Sequence, residues 1–370
     1  MKFSCSQLSL SKAVNTVSKA ISSRTTIPIL KGILFELNGN TLKLTSSNLD
    51  LTIETTIEVQ GTEDGRLIVD SKLFSEIVRR LPNSMVSLSS DENGSLKLQC
   101  LGSDYSFVCF PADEYPSTGA VEEIASISLV KKEFCELIKR TSFAASIDEK
   151  KGIIIGCLMD FSPYKLEMVA LDGFSMSIAS MELEEAGIEA KIVIPARMLA
   201  DISKLLSESD GDEKLVLSID EKKMQIVCDD TVIIARMLIG DFINYKGIIP
   251  KEHKTRFIAS RSELQGSLER ASLFAKEGQN NLIKFTVADG RVQISSRSEE
   301  GNVNEQVLCE TEGEGLTIGF NSKYIIEVLK AVDDEEIVFD LIDSTSCCLV
   351  KPTEGDRYLF FILPVRIMSA

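Results

Sequence analysis

Three stretches of this chain share one residue pattern, and nearly the same number of residues separates them. Each has a turn or cap residue, a small residue, a base, two apolar residues, and an acid four positions after the base. The stretches begin at Asp70, Pro195 and Asn321, which are 125 and 126 residues apart. A second marker, an aspartate before a β-rich run, recurs at Asp104, Asp230 and Asp356. This period is far longer than a solenoid repeat, so each unit is expected to be a whole domain.

Within each repeat the hydrophobic period alternates between 2 and 3.6. This predicts an α+β domain of mainly antiparallel strands with two helices. The dipeptides Asn38-Gly39 and Asp289-Gly290 lie between strand-like runs and are typical of hairpin turns. The first helices of the repeats are predicted at 9–21, 131–142 and 261–274, and the second helices at 71–81, 196–206 and 322–332. We expect three tandem domains with the boundaries 1–120, 121–250 and 251–370.

The composition excludes several classes of function. His253 is the one histidine among 370 residues, and the nine cysteines form no C-x-x-C pair. A histidine-based nucleophile, a zinc site and a disulfide framework are therefore not expected, and no cofactor or metal is predicted. The N-terminus lacks an apolar stretch of signal-peptide length, and no segment has the ~20 apolar residues of a membrane span. We expect a cytoplasmic protein with no membrane partner.

Basic residues recur at a fixed angle on the predicted helices. Five of the six helices carry two bases seven positions apart, which places both on one helix face. The pairs are Lys12/Lys19, Lys72/Arg79, Lys132/Lys139, Arg197/Lys204 and Lys323/Lys330. In a chain of net charge −16, this favours a basic surface that attracts the phosphates of duplex DNA. No aromatic residues interleave with the bases, as a single-strand stacking platform would need. An ordinary solvated basic face stays open as the alternative.

Several motifs, in order along the whole chain, resemble those of one known family. They are Arg24–Leu30, Phe110–Pro116, Phe143–Glu149 with Gly156, Lys276–Asn281, Phe320-Asn321 with Tyr324, and Leu363–Ile367. Together with the threefold period, they make the chain similar to the bacterial DNA polymerase III β subunits, the β sliding clamps. The resemblance implies three DNA-clamp domains and a ring-shaped, head-to-tail homodimer. It also implies a non-catalytic protein that encircles double-stranded DNA and tethers replicative and repair polymerases, which confers processivity.

The resemblance also implies site residues and partners. The bases expected to face DNA are chosen from the helix faces described above and from positions near the helix ends, and they are Lys12, Arg24, Lys72, Arg79, Arg80, Lys139, Arg140, Lys150, Lys151, Arg197 and Lys204. The expected dimer interface places Tyr105 and Phe107 of one copy against Leu273 and Phe274 of another. A peptide pocket between domains 2 and 3 is expected to receive the DNA polymerase III alpha subunit, the clamp loader delta subunit and other proteins with a clamp-binding motif. Its expected residues are Ile154, Leu171, Gly173, Phe174, Ser175, Met176, Ile243, Gly247, Ile248, Asn321, Tyr324, Thr345, Cys347, Ile362, Leu363, Pro364, Val365 and Arg366.

Near this pocket the chain departs from the family pattern. After Asp172-Gly173 it has Phe174-Ser175-Met176 where the family usually has x-Arg-Leu. It has Phe242–Gly247 where the family has Phe-Pro-Asp-Tyr and often a following base. These departures motivate an alternative hypothesis, a divergent clamp paralogue with altered partner specificity. A third hypothesis, an enzyme acting through carboxylates such as Asp172 or Asp241, competes with the simpler interpretation of Asp172-Gly173 as a turn. The chain also has no phosphate-binding glycine loop of the GxxxxGK[ST] type.

Overall fold

The computed structural model of the chain describes residues 1–22, 25–91, 94–116, 119, 121–122, 124–184, 188–208, 214–277 and 281–367. The chain divides into two compact units. The first comprises Met1–Lys132 with Lys204–Met237, and the second comprises Glu133–Ser203 with Leu238–Ala370. Each unit contains an antiparallel sheet, and helices connect some of its strands along the chain. The architecture is therefore α+β, as predicted.

The helices begin and end close to the predicted positions. They are α1 Gln7–Ser18, α2 Ser71–Arg80, α3 Lys131–Thr141, α4 Ala196–Leu206, α5 Arg261–Glu277 and α6 Ser322–Ala331. The side chain of Ser6 caps α1, which therefore starts two residues before the predicted position. Asp70 and Asn321, the first residues of two of the repeated patterns, accept hydrogen bonds from the backbone N–H groups of Lys72 and Lys323. Helix capping thus explains why a polar residue recurs there.

The strands follow the same order in each repeat, and the first repeat has β5 as an additional described strand. In the first repeat they are β1 Lys2–Ser6, β2 Gly32–Asn38, β3 Thr41–Ser47, β4 Leu51–Glu58, β5 Gln60–Glu63, β6 Gly65–Asp70, β7 Met85–Ser90, β8 Ser95–Cys100 and β9 Ser103–Phe110. In the second they are β10 Ala125–Val130, β11 Gly156–Ser162, β12 Lys165–Leu171, β13 Ser175–Glu182, β14 Ala190–Pro195, β15 Lys214–Ile219, β16 Lys223–Cys228 and β17 Thr231–Arg236. In the third they are β18 Thr255–Ser260, β19 Leu282–Ala288, β20 Arg291–Ser298, β21 Gly301–Gly313, β22 Leu316–Asn321, β23 Glu336–Leu341, β24 Cys348–Pro352 and β25 Tyr358–Ile362.

Each sheet contains strands from two neighbouring repeats. The strand order in the first unit is β10-β15-β16-β17-β4-β3-β2-β6-β9-β8-β7-β1-β5. In the second unit it is β14-β11-β12-β13-β25-β24-β23-β18-β21-β20-β19-β22. Strand β17 pairs with β4, with Ile233 opposite Ile53, and β25 pairs with β13, with Phe360 opposite Ser177. Pairing across the repeats satisfies backbone groups that a sheet edge would leave open.

The predicted hairpin turns are confirmed. Gly39 adopts φ 56° between β2 and β3, and Gly290 adopts φ 73° between β19 and β20. Glycine adopts this left-handed backbone without a steric penalty.

The core of the first repeat is built on three aromatic rings. Phe74 of α2 packs edge-on against Phe35 and Phe107, with ring centroids 5.4 and 5.1 Å away, and all three side chains are buried. Phe107 is therefore a core residue, although we expected it in a dimer interface. Tyr105 points to the same face of β9, because alternate residues of a strand share a face, and it is half-buried.

The described part of the chain offers neither a membrane span nor a metal cluster. Within the described ranges no helix is both long and apolar enough to cross a membrane. The same ranges bring together no group of three His, Cys, Asp or Glu side chains that could hold a metal ion. Burial raises the pKa of the Cys5 and Cys157 thiols to about 12. These thiols therefore stay protonated and pack as small apolar groups.

A buried carboxylate holds three strands of the third repeat together. Asp340 on β23 is 6% exposed and accepts hydrogen bonds from Arg256 Nε at 2.6 Å and Arg256 Nη2 at 3.0 Å. Arg256 Nε donates to Oδ1 and Arg256 Nη2 donates to Oδ2, and Lys351 Nζ lies 2.6 Å from the same Oδ2. Burial raises the pKa of Asp340, but the hydrogen bonds from Arg256 and Lys351 outweigh burial and hold that pKa below its usual value.

We predict that Asp340→Asn lowers the free energy of unfolding by about 1–3 kcal/mol at pH 7, because it leaves Arg256 and Lys351 without their anion. The pKa of Asp340 is lower in the folded state, so its contribution is present above the unfolded-state pKa of about 3.9 and lost as pH falls through the folded-state value. Urea titrations at pH 7 and pH 3 measure both effects. Asp241→Asn, at an exposed position, is the control and should change stability by less than about 0.5 kcal/mol. An equal loss from Asp340→Asn at both pH values would contradict the ion-pair explanation.

Candidate functional site

The turn between β12 and β13 presents an aromatic side chain to solvent. Asp172 Oδ1 accepts hydrogen bonds from the backbone N–H groups of Phe174 and Ser175, both at 2.8 Å. Gly173 adopts φ 97° between them, and Phe174 is 57% exposed. Asp172 is thus occupied in a side-chain turn of the kind that aspartate favours, which confirms the interpretation of Asp172-Gly173 as a turn.

Tyr324 of α6 fastens this turn to the third repeat. Its hydroxyl donates to Asp172 Oδ2 at 3.0 Å, and its ring stacks on Phe174 with centroids 6.5 Å apart and planes at 27°. Burial and the hydrogen bond to Asp172 raise the pKa of Tyr324 to about 12. The hydroxyl therefore remains a donor at neutral pH. Asn321, which caps α6, starts the helix one turn before Tyr324.

The chain after β25 runs beside the same turn. Leu363 N donates to the carbonyl oxygen of Phe174 at 2.9 Å, and Val365 N donates to that of Gly319 at 2.8 Å. A Cβ on Gly319 would lie 2.6 Å from the Val365 oxygen, so glycine permits this close approach. In this segment Ile362 is buried, Pro364 and Val365 are half-buried, and Leu363 and Arg366 are exposed. We call Asp172, Phe174, Tyr324 and Leu363 the aromatic turn surface.

An apolar cluster contains the residues on either side of the β12–β13 turn. Leu171 and Met176 are buried in it with Tyr245, and Ile154 and Cys347 are half-buried against it. Tyr245 donates to Glu167 Oε1 at 2.5 Å. The remaining expected pocket residues on neighbouring loops are exposed, namely Ile243, Gly247, Ile248 and Thr345. The structure therefore brings together the β12–β13 turn, α6 and the chain after β25, and the four exposed loop residues are close in sequence to the cluster members Tyr245, Ile249 and Cys347.

Lys151, expected to face DNA, lies against the aromatic turn surface. Its ammonium donates to the carbonyl oxygen of Asp172 at 3.0 Å and lies 5.8 Å from the centroid of the Phe174 ring, within reach of a cation–π interaction. Lys150, the neighbouring residue, is exposed. Sequence reasoning assigned both lysines by their position near a helix end, and only the tertiary fold separates them.

The predicted bases of the first unit are mostly exposed. Lys12 of α1, Lys72 of α2 and Lys204 of α4 are exposed. Arg79 and Arg80 are also exposed, and both pair with Glu76 of their own helix, at 2.6 and 2.9 Å. Helices α1 and α2 pack side by side, with the hydroxyls of Ser18 and Ser75 3.2 Å apart.

One member of the predicted helix-face pairs does not fit that pattern. Lys19 follows the last residue of α1, its side chain is only 18% exposed, and it pairs with Glu208 at 2.6 Å. Lys19 therefore links α1 to the chain after α4 instead of extending the exposed basic row.

In the second unit the predicted bases differ in exposure. Arg197 is exposed on α4, and Lys139 is exposed and pairs with Asp333 at 3.1 Å. Arg140 is only 18% exposed and pairs with Glu136 at 3.0 Å, which gives it a packing role within α3. Arg24 lies outside the described residues.

Comparisons with known proteins identify the family. The family models for the N-terminal, central and C-terminal domains of the DNA polymerase III beta subunit match residues 1–119, 128–244 and 246–366. A curated protein of Staphylococcus epidermidis, named beta sliding clamp, is 30% identical over 363 residues that cover 95% of this chain and 96% of the relative. The chain belongs to the DNA polymerase III beta subunit family. As a beta sliding clamp it is a processivity factor and not an enzyme, and the expectation of a cytoplasmic bacterial replication protein is confirmed.

Solved clamp structures agree with this assignment. The DNA polymerase sliding clamp of Bacillus subtilis superposes with a TM-score of 0.95 at 29% identity and covers 100% of both chains. The DNA polymerase III beta chain of Streptococcus pneumoniae superposes with a TM-score of 0.94 at 27% identity and covers 99% of this chain and 100% of its own. The prediction of three clamp domains with antiparallel sheets is thus confirmed.

We predict that Gly173→Ala lowers the free energy of unfolding by about 1–2 kcal/mol, because an L-residue is penalised in the left-handed region. A Cβ at Gly173 would meet no atom within 4 Å, so the loss comes from the backbone alone. Gly247→Ala is the matched control, because its Cβ also meets open space and its φ lies outside that region; it should change stability by less than about 0.5 kcal/mol. Urea titration of both variants makes the measurement, and equal stability of the two would contradict the assigned turn geometry.

Proposed function

We propose that two copies of this clamp close head to tail into a ring around double-stranded DNA. The observation that carries the proposal is the repeated pairing of strands from neighbouring repeats, β17 with β4 and β25 with β13. By the same rule β9 of one copy is the equivalent partner of β21 of another. A heterologous contact of this kind produces a closed assembly when its rotation closes.

The two strands have the open edges that such a contact needs. Strand β9 pairs with β8 along Ser103–Val108, and β21 pairs with β20 along Gly301–Leu308. Among the described residues neither stretch has a strand on its other edge. Val108 and Leu308 are 74% and 79% exposed, so a contact would remove apolar area from water. Tyr105, Leu273 and Phe274 remain proposed interface residues, and Val108 and Leu308 join them in place of the buried Phe107.

The domain boundaries 1–120, 121–250 and 251–370 are part of this proposal. Each boundary falls in a connection that follows the last strand of one repeat and precedes the first strand of the next. The strand pairing across repeats means that the second domain shares its sheets with the first and third domains.

We propose that DNA is held by mobile bases on the helices. Lys12, Lys72, Arg79, Arg80 and Arg197 are exposed on helices, where they can meet phosphates without reading the base sequence. Lys139 of α3 and Lys204 of α4 belong to the same proposed set, and Lys150 and Arg24 are added to it from the sequence prediction alone.

The test uses a nicked circular plasmid onto which the clamp is loaded by its loader. A ring stays on the circle in gel filtration and is released when the plasmid is cut. We predict that Lys12→Gln/Lys72→Gln/Arg197→Gln reduces the amount retained several-fold, because fewer cations then meet the phosphates. The slope of log K against log salt for duplex DNA should become shallower by about 0.9 for each base that no longer neutralises a phosphate.

The charge-matched control is Lys2→Gln/Lys97→Gln/Lys284→Gln, at three exposed strand positions. It should retain DNA as the wild type does, and both triple variants should remain dimers in sedimentation. Retention of the wild type after linearisation would refute encirclement, and equal retention of the two triple variants would refute the assignment of the helix bases.

We further propose that the polymerase III alpha subunit and the loader delta subunit insert a short apolar motif at the aromatic turn surface. Phe174 and Leu363 offer exposed apolar area, and backbone and tyrosine hydrogen bonds hold them in place before binding. Ser175, where the family usually has arginine, is buried and donates to Asp172 Oδ1 at 3.4 Å. Lys151 therefore supplies a cation next to the turn.

We predict that Phe174→Ala weakens binding of a polymerase alpha C-terminal peptide by tenfold or more, as removal of a central aromatic anchor does. Tyr164→Ala removes another exposed aromatic side chain of the same unit and should leave the affinity unchanged. Fluorescence anisotropy with the labelled peptide makes the measurement. Failure of the wild type to bind the peptide would favour the divergent paralogue with altered partners. Equal affinities of the two variants would show that the peptide binds at another site.

A further inference from the structure

The first unit contains a cavity of about 400 Å³ where the β3–β4 turn meets the β15–β16 hairpin and the end of β17. Leu49, Asp50, Ile234, Lys222, Lys223 and Arg236 line it. Its volume falls within the range of small-ligand pockets. We call it the cationic cavity.

The cationic cavity is the counterpart, in the first unit, of the aromatic turn surface in the second. Asn48 Oδ1 accepts hydrogen bonds from the backbone N–H groups of Asp50 at 3.0 Å and Leu51 at 2.8 Å, as Asp172 does for its own turn. Arg236 N donates to the carbonyl oxygen of Asp50 at 2.8 Å, as Leu363 N donates to that of Phe174. The two places share one backbone scaffold and differ in the side chains that it carries.

The side chains of the cationic cavity favour an anion. Lys222, Lys223 and Arg236 face one carboxylate, Asp50, on a chain with 56 acidic and 40 basic residues. Lys222 and Arg236 are exposed, and neither forms an ion pair with a carboxylate within the described ranges. At the aromatic turn surface, Phe174 stands where Asp50 stands here, and Leu363 stands where Arg236 stands. The excess of basic residues is therefore a property of the side chains at this cavity and not of the backbone arrangement that both turns share.

The cavity is formed in advance of any ligand. Asp220 Oδ1 accepts from the backbone N–H groups of Lys222 and Lys223, both at 2.6 Å. Met237 N donates to the carbonyl oxygen of Lys222 at 2.8 Å. These bonds fix the hairpin and the end of β17 to each other, so binding requires little ordering of the backbone.

Leu49 adds an apolar contact at the rim. Its backbone adopts φ 77°, whereas glycine occupies the equivalent position of the other turn at φ 97°. A leucine is penalised in this region, yet its side chain is 52% exposed and so gains little from burial within the chain. Strained backbone positions cluster at ligand-binding sites, and this exposed leucine at the cavity rim is available to contact a ligand.

We propose that the cationic cavity binds an acidic peptide segment of a partner protein. Lys222 and Arg236 would receive a Glu or Asp carboxylate, and Leu49 and Ile234 would contact a neighbouring apolar side chain. The concave shape and the apolar side chains of Leu49 and Ile234 fit a peptide better than a DNA backbone, because phosphate contacts use polar and charged groups and gain nothing from apolar side chains. This proposal is independent of the ring and of the aromatic turn surface.

The test uses two fluorescein-labelled hexapeptides, one of alternating Leu and Glu and one of alternating Leu and Gln, in anisotropy titrations with the full-length protein. We expect the Leu/Glu peptide to bind at least fivefold more tightly than the Leu/Gln peptide. Lys222→Ala/Arg236→Ala should remove this preference. The control Lys2→Ala/Lys97→Ala, which removes two exposed lysines elsewhere in the first unit, should keep it.

A second variant separates the apolar contact from charge alone. Leu49→Gly removes the rim side chain and relieves the left-handed backbone, so it should lower the affinity for the Leu/Glu peptide about threefold or more while the Tm does not fall. Absence of binding to the wild type at millimolar peptide would overturn the proposal. So would equal binding of both peptides, or loss of binding in Phe174→Ala with none in Lys222→Ala/Arg236→Ala. A loss of duplex DNA affinity in that double variant, without loss of peptide binding, would reassign the cavity to DNA.

Discussion

Antiparallel pairing between strands of neighbouring repeats is the contact on which the rest of this structure depends. A sheet that does not close on itself leaves open strand edges, and the unpaired backbone N–H and C=O groups there can pair with another strand. Here β4 is covered by β17, and β13 is covered by β25. Because β-pairing uses the backbone, it can persist while the side chains of the repeats diverge. Ile233 lies opposite Ile53 in one pairing, and Phe360 lies opposite Ser177 in the other. The strand pairing between repeats therefore does not depend on particular side chains.

The same joint also places a turn beside the end of a strand, which creates a site for function. In both units an Asn or Asp side chain caps the turn, and a residue at or just after the end of the joining strand donates a backbone hydrogen bond to it. This arrangement holds the turn rigidly, so the side chains on it can change without loss of geometry. One unit presents Phe174 and the other presents Asp50 at equivalent points. Duplication therefore supplied two similar scaffolds, and substitution gave them different surface chemistry.

Most of the fold could be predicted from the sequence, because local signals determine it. The helix ends differ from the predicted ones by three residues or fewer, and the turn at Gly39 follows from its dipeptide. The aromatic turn surface was only partly predictable, since its hydrogen bond joins Tyr324 to Asp172 across 152 residues. No local pattern indicates that the Lys151 ammonium lies over the Phe174 ring, or that Phe107 packs against Phe74 in the core. Such contacts depend on which strands become neighbours, and periodicity does not encode that choice.

The bases on the helices are exposed, yet several already have an acidic partner. Arg79 and Arg80 share Glu76, and Lys139 pairs with Asp333. Each exposed pair contributes only about 0–1 kcal/mol, so in the proposed DNA complex a phosphate could replace the carboxylate at small cost, and the carboxylate could pair with the base again once the phosphate has moved on. Weak, exchangeable pairs therefore suit a processivity factor, which must stay near DNA while its contacts with any one phosphate are brief.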